Sequence, residues 1–118
     1  MKNYLKKRIS AFNYAFKGIR WLLCHEAHAI IHIIAAIGVI TAGFLFKISS
    51  LEWCVICLCI GIVFTAEGFN TAIEKLADRI TQDPDPLIKI AKDVAAGAVL
   101  ISAISTIVIA AIIFIPKF

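Results

Sequence analysis

The chain has 118 residues, 61% of them hydrophobic and 17% charged, with a net charge of +4. Soluble domains run about 45–50% apolar and about 25% charged, and a domain this small has too much surface for so apolar a composition. Disorder is excluded by the apolar content, and 6 Gly and 4 Cys are too few for a collagenous or disulfide-built chain, which leaves one small all-α integral membrane protein.

Residues 1–24 predict an amphipathic surface helix. Leu5, Ile9, Phe12, Phe16 and Ile19 recur at steps of 4 and 3, while Lys6, Lys7, Asn13, Lys17 and Arg20 lie largely off that stripe. The segment has no compact apolar core after its charges and no small-residue cleavage pattern, so it does not read as a signal peptide. Three transmembrane helices follow, over 27–47, 50–80 and 86–116. Their apolar stretches are Ala29–Phe46, Leu51–Ala66 with Glu52 as its one acid, and Val94–Ile115, 22 residues without an ionisable side chain. Crossing a bilayer takes about 20 residues, so the third qualifies outright and the first two borrow flanking residues.

Local signals mark the helix ends. Ser49-x-x-Glu52 is a capping box, which gives Glu52 a structural role. Thr81-Gln-Asp-Pro-Asp-Pro86 breaks the chain, with Asp85 as N-cap and Pro86 at the first helical position. Lys and Arg concentrate in residues 1–20 and in the loop between the second and third spans, whereas the first hairpin loop holds only Lys47. The positive-inside rule then places the N-terminus and the second loop in the cytoplasm.

The second span carries the informative polar residues as it leaves the membrane. Glu67, Asn70, Thr71, Glu74 and Asp78 share one helical face about 16 Å long. Glu67 lies about 24 Å along the helix from Leu51, just inside the cytoplasmic edge of a core about 30 Å thick. A carboxylate there is expensive unless it is paired or functional. Glu26, His25 and His28 precede the first span, and Lys92 and Asp93 precede the third. Five of the 8 acids (Glu26, Glu67, Glu74, Asp78 and Asp93) therefore gather where three helices meet the cytoplasm.

Paired carboxylates at that level suit Mg²⁺, a lysine suits phosphate, and a boundary carboxylate suits proton removal from a lipid hydroxyl. These are the parts that phosphoryl transfer to a membrane alcohol requires. No Walker-type or G-x-G-x-x-G loop is present, so nucleotide phosphates would be held by metal and side chains. His32, about one turn into the first span, is either a functional intramembrane group or a hydrogen-bond donor in helix packing. The alternative from another class is a small oligomeric proton or ion conductor using Glu67 and His32, although the acids crowd one interface instead of threading the membrane. Cys24, Cys54, Cys57 and Cys59 read as buried small hydrophobes, Gly38 and Gly43 as packing positions, and Trp21 and Trp53 as aromatic-belt residues. Ala35, Gly38 and Ala42, and likewise Ala91, Ala95, Ala98, Ser102 and Ser105, form small-residue stripes for close helix packing.

Glu67-Gly-Phe-Asn-Thr-Ala-Ile-Glu-Lys-Leu-Ala-Asp78, then Ala91-Lys-Asp-Val-Ala-Ala-Gly-Ala-Val-Leu100, with Glu26 and Tyr14-Ala-Phe-Lys-Gly-Ile-Arg20, resemble the small prokaryotic diacylglycerol kinases and their relatives the undecaprenol kinases. The resemblance covers nearly the whole chain. It implies a homotrimeric bundle in the bacterial cytoplasmic membrane, with sites shared between subunits, that transfers phosphate from MgATP to a lipid alcohol. By motif position Glu67 resembles the catalytic base, and Glu26 and Glu74 the Mg²⁺-binding pair. Asn70 resembles a contact for the transferred phosphate, while Tyr14, Asp78, Lys92 and Asp93 match nucleotide-side positions. No nucleic-acid partner is expected. The undecaprenol branch reads E-x-N-x-x-x-H where this chain has Glu26-Ala-His28-Ala-Ile-Ile-His32, so the histidine is kept and the asparagine is not. The diacylglycerol branch tends to place an acid where His32 stands. Diacylglycerol and undecaprenol both stay open as acceptor.

Overall fold

The computed structural model describes all 118 residues as helices joined by short links. α1 spans Lys2–His25, α2 Ala27–Leu45, α3 Ser50–Ile80 and α4 Pro86–Phe114, followed by a 3₁₀ turn over Ile115–Lys117. Three helical stretches, Ala27–Leu45, Ser50–Ile80 and Pro86–Lys117, are long and apolar enough to cross a membrane. At 1.5 Å per residue α2 is about 28 Å long and α3 about 46 Å, so α3 outreaches its neighbour by several turns.

The boundaries have local causes. Glu26 adopts an extended conformation (φ −95°, ψ 122°) and separates α1 from α2. α2 ends in a Schellman arrangement. The Ile48 N–H donates to Gly43 O at 3.2 Å and the Lys47 N–H to Phe44 O at 3.4 Å, with Lys47 at φ 52°. The capping box at α3 is present in both directions, Glu52 N–H to Ser49 Oγ at 3.2 Å and Ser49 N–H to Glu52 Oε1 at 2.9 Å. Asp85 Oδ1 accepts from the Leu87 and Ile88 N–H groups and Pro86 opens α4. Glu52 has a second partner that local spacing does not reveal: Lys117 Nζ donates to its Oε2 at 2.9 Å and ties the end of the chain to the start of α3.

The four-residue link 46–49 makes α2 and α3 antiparallel, and α4 runs back along α3, the most extensively packed pair. The buried apolar centre, Ile48, Ile56 and Ile113 with Phe46, Trp53 and Phe114 around it, sits at the end of the bundle near that link. Gly43 belongs to it, because an added Cβ would come within 2.6 Å of Trp53 Cη2, whereas Gly38 faces open space. α1 contributes no buried residue and meets α3 near Trp21 and Leu22, with Lys75 Nζ 5.2 Å above the Trp21 ring. Only 13 of 118 residues are buried, so the apolar side chains point mainly outwards, as lipid-facing helices require. Cys59 is buried, but Cys24, Cys54 and Cys57 lie on the outer surface of the chain. The expectation that all four are buried is corrected there: a helix with one inward stripe turns the neighbouring positions out.

Candidate active site

The polar face of α3 turns inward. Glu67 is 2% exposed, Asn70 8% and Thr71 5%, so three consecutive inward positions of a membrane helix are polar. Phe69 and Leu76, on the opposite side, are exposed. Burying a carboxylate without a partner costs several kcal/mol. The partner here comes from α2: His32 Nε2 lies 3.3 Å from Glu67 Oε2, and the His32 side chain is itself only 16% exposed. The imidazole and the Phe64 ring lie roughly perpendicular, with a centroid distance of 6.1 Å. His32 thus has a defined place, against the carboxylate, which its position in the sequence left open.

One turn towards the cytoplasmic end predicted for α3, Asn70 Nδ2 donates to Glu74 Oε1 at 3.3 Å. The Asn70 Oδ1 and Thr71 Oγ1 atoms are buried and without partners. A helical threonine commonly donates to the carbonyl four residues back, as Thr41 and Thr106 do here, so the idle hydroxyl of Thr71 is distinctive. Further along, Lys92 Nζ donates to Asp78 Oδ1 at 2.7 Å, bridging α4 to α3, and Lys89 pairs with Asp93. Both aspartates border a polar cleft of about 820 Å³ between the 81–85 loop and the start of α4. Tyr14 is not packed with these acids. It is 70% exposed on α1, with Lys17 Nζ 5.7 Å from its ring centre.

The His32–Glu67 contact fixes the register of the α2–α3 pair. Glu26 stands six residues before His32, and Glu74 seven after Glu67. In an antiparallel pair they fall about 9 and about 10.5 Å beyond the contact on the same side, which puts the two residues at a similar level. Glu26 is the N-cap residue of α2, yet its side chain makes no capping bond, which leaves the carboxylate uncommitted. No three acidic, histidine or cysteine side chains close on one point within the chain. Mg²⁺ commonly takes only one or two carboxylates and fills its remaining positions with water and substrate phosphate. The unpartnered Asn70 Oδ1 beside Glu74, a hard oxygen with an unused lone pair, suits that pattern.

Sequence spacing put Glu67, Asn70, Glu74 and Asp78 on one α3 face but did not foresee two of its partners, His32 for Glu67 and Lys92 for Asp78, nor the Lys89–Asp93 pair within α4. The first was within reach, because residue counting already put His32 and Glu67 near the same membrane edge.

The chain is similar to known proteins along almost its whole length. Residues 13–114 match the family profile of prokaryotic diacylglycerol kinase. The chain is 41% identical over 116 residues to the undecaprenol kinase of Bacillus subtilis (strain 168), covering 98% of this chain and 94% of that protein. It is 34% identical over 107 residues to a diacylglycerol kinase of Synechocystis sp. (strain ATCC 27184 / PCC 6803 / Kazusa), covering 90% of this chain and 61% of that one. The match spans the buried polar face, the α3–α4 bridge and all three long apolar helices, and the chain belongs to the prokaryotic diacylglycerol kinase family of membrane lipid kinases.

Proposed function

We propose that this protein transfers the γ-phosphoryl group of MgATP to the hydroxyl of undecaprenol at the cytoplasmic face of a bacterial cytoplasmic membrane. The observation that carries the reading is the Glu67 carboxylate, 2% exposed on a membrane-spanning helix and next to uncommitted polar atoms. Undecaprenol is favoured over diacylglycerol by the likeness along almost the whole chain to the Bacillus subtilis undecaprenol kinase, and by His32 at a position where the diacylglycerol branch tends to carry an acid.

In this reading the polyprenyl tail stays in the bilayer and its hydroxyl rises to Glu67. The carboxylate takes the hydroxyl proton while the lipid oxygen attacks the γ-phosphorus. The bond from that phosphorus to the β–γ bridging oxygen breaks, and ADP leaves with the electron pair. Transfer is direct and in line, from ATP to the lipid oxygen, without a phosphoenzyme. Asn70 donates to the phosphoryl group in flight. Lys92, held by Asp78, offsets the negative charge of the nucleotide, with Asp93 and Tyr14 on the nucleotide side. Glu26, Glu74 and Asn70 Oδ1 would hold Mg²⁺, which when bound neutralises charge on the phosphate oxygens. α1, with its lysines and arginines, lies on the inner membrane surface, and the assembly is a homotrimer whose sites are shared between subunits.

The test is purified protein in liposomes with γ-labelled ATP, offered undecaprenol and diacylglycerol side by side. The expected result is label in undecaprenol at a higher kcat/KM than in diacylglycerol. Glu67→Gln should abolish transfer while leaving helix content and MgATP binding intact. Proton flux without labelled lipid would overturn the reading in favour of a conductor.

A further inference from the structure

We propose that His32 is a positioning residue for Glu67, holding one carboxylate oxygen so that the other faces the acceptor hydroxyl. The inference rests on Glu67 being the base. Within the chain no other side chain reaches that carboxylate: its Oε2 lies 3.3 Å from His32 Nε2, and it makes no other polar contact. A glutamate on a helix has rotamer freedom that burial alone does not remove. A base must present a lone pair within hydrogen-bond reach of the proton it takes.

His32 is largely enclosed by its neighbours. Its ring lies roughly perpendicular to that of Phe64 and is 16% exposed. Small residues Ala35 and Ala36 sit one turn further along α2, and His32 lines a mostly apolar cavity of about 230 Å³ with Val39, Val63, Thr106 and Ile107. The imidazole therefore has apolar surroundings on its membrane side and the carboxylate on the other. The contact also joins two helices. Glu67 belongs to α3, which carries Asn70, Glu74 and Asp78, whereas His32 belongs to α2, whose first residue follows Glu26. Holding the base thus also sets α2 against α3, and with it the level of Glu26 against Glu74. The contact engages one carboxylate oxygen and leaves the second without a side-chain partner in the chain.

A packing contact alone would not distinguish a hydrogen-bond donor from an apolar side chain of equal length, and this is what the test exploits. His32→Gln places an amide N–H about where Nε2 stands, and His32→Met is nearly isosteric with glutamine but has no donor. Both are assayed in liposomes with ATP and undecaprenol, beside Glu67→Gln. The expected result is a kcat close to wild type for His32→Gln and about 10- to 100-fold lower for His32→Met, with KM for ATP unchanged in both. Equal kcat in the two variants, or a loss that appears only in KM for ATP, would overturn the proposal. Inactive Glu67→Gln with His32→Met turning over like wild type removes the positioning role and keeps the base. Persistent transfer by Glu67→Gln removes both.

Discussion

A carboxylate and an imidazole 3.3 Å apart inside a membrane bundle are costly to bury, and their neighbours Asn70 and Thr71 keep polar atoms idle at the same level. Stability alone would favour apolar side chains at all four positions, so the cluster reads as a site that binds something. The cytoplasmic end differs in kind. Lys92 and Asp78 are 38% and 49% exposed, and solvent screening leaves a pair so open little weight in stability. Asp78→Asn should therefore leave thermal unfolding almost unmoved while raising KM for ATP about fivefold, because Lys92 loses the partner that aims it. A fall in thermal stability with KM unchanged would make the pair structural. At this scale the sequence was informative wherever one helix was enough: the steps between Glu67, Asn70, Glu74 and Asp78 place them on one face by rotation alone. It was silent on which partner each would meet, since that depends on how two helices are turned towards each other.

Helix ends were legible for the same reason. The capping box at Ser49 and Glu52, and the Asp85 cap before Pro86, are closed by residues within three positions of each other. The Lys117–Glu52 bond joins residues 65 positions apart and could not be read locally. Gly38 and Gly43 looked alike in sequence because both sit among small residues on α2, and the structure separates them. Gly43→Ala should cost about 1–3 kcal/mol, since its Cβ would meet Trp53 at 2.6 and 2.9 Å and Ile48 at 3.1 Å. Gly38→Ala should change the stability of a single chain little, because its Cβ meets nothing within 4 Å. The end of α2 offers the opposite opportunity. Lys47 holds φ 52°, a conformation that costs a side-chain-bearing residue about 1 kcal/mol, so Lys47→Gly should stabilise the protein by about that amount. Denaturant titration in mixed micelles, followed by circular dichroism, measures all three.

On the scale of the whole molecule, 13 buried residues in 118 make a sparse interior. Membrane helices associate through close packing of small residues and polar contacts, and both remain available on the outside of this chain. Ala91 and Ala98 line an open groove with Asn70, and Cys54 and Cys57 face outwards on α3. The proposed homotrimer would cover such surfaces, and the mass measured in lipid discs should be about three times the 12.9 kDa of one chain. A particle with the mass of one chain that still phosphorylates lipid would refute both the trimer and the shared sites. Assembly was the least legible level, because an apolar surface looks the same whether it faces lipid or a second copy. The unequal lengths of α2 and α3 carry a consequence of their own. The apolar reach of α2 matches a bilayer core of about 30 Å, and Glu67 is tied to α2 through His32. Host membranes with longer acyl chains would draw Glu67, the proposed base, below the level that nucleotide reaches. Shorter ones would lift it away from the acceptor, so hydrophobic mismatch in either direction slows turnover. Activity across vesicles of graded acyl length should pass through a maximum, which makes this enzyme a gauge of membrane thickness.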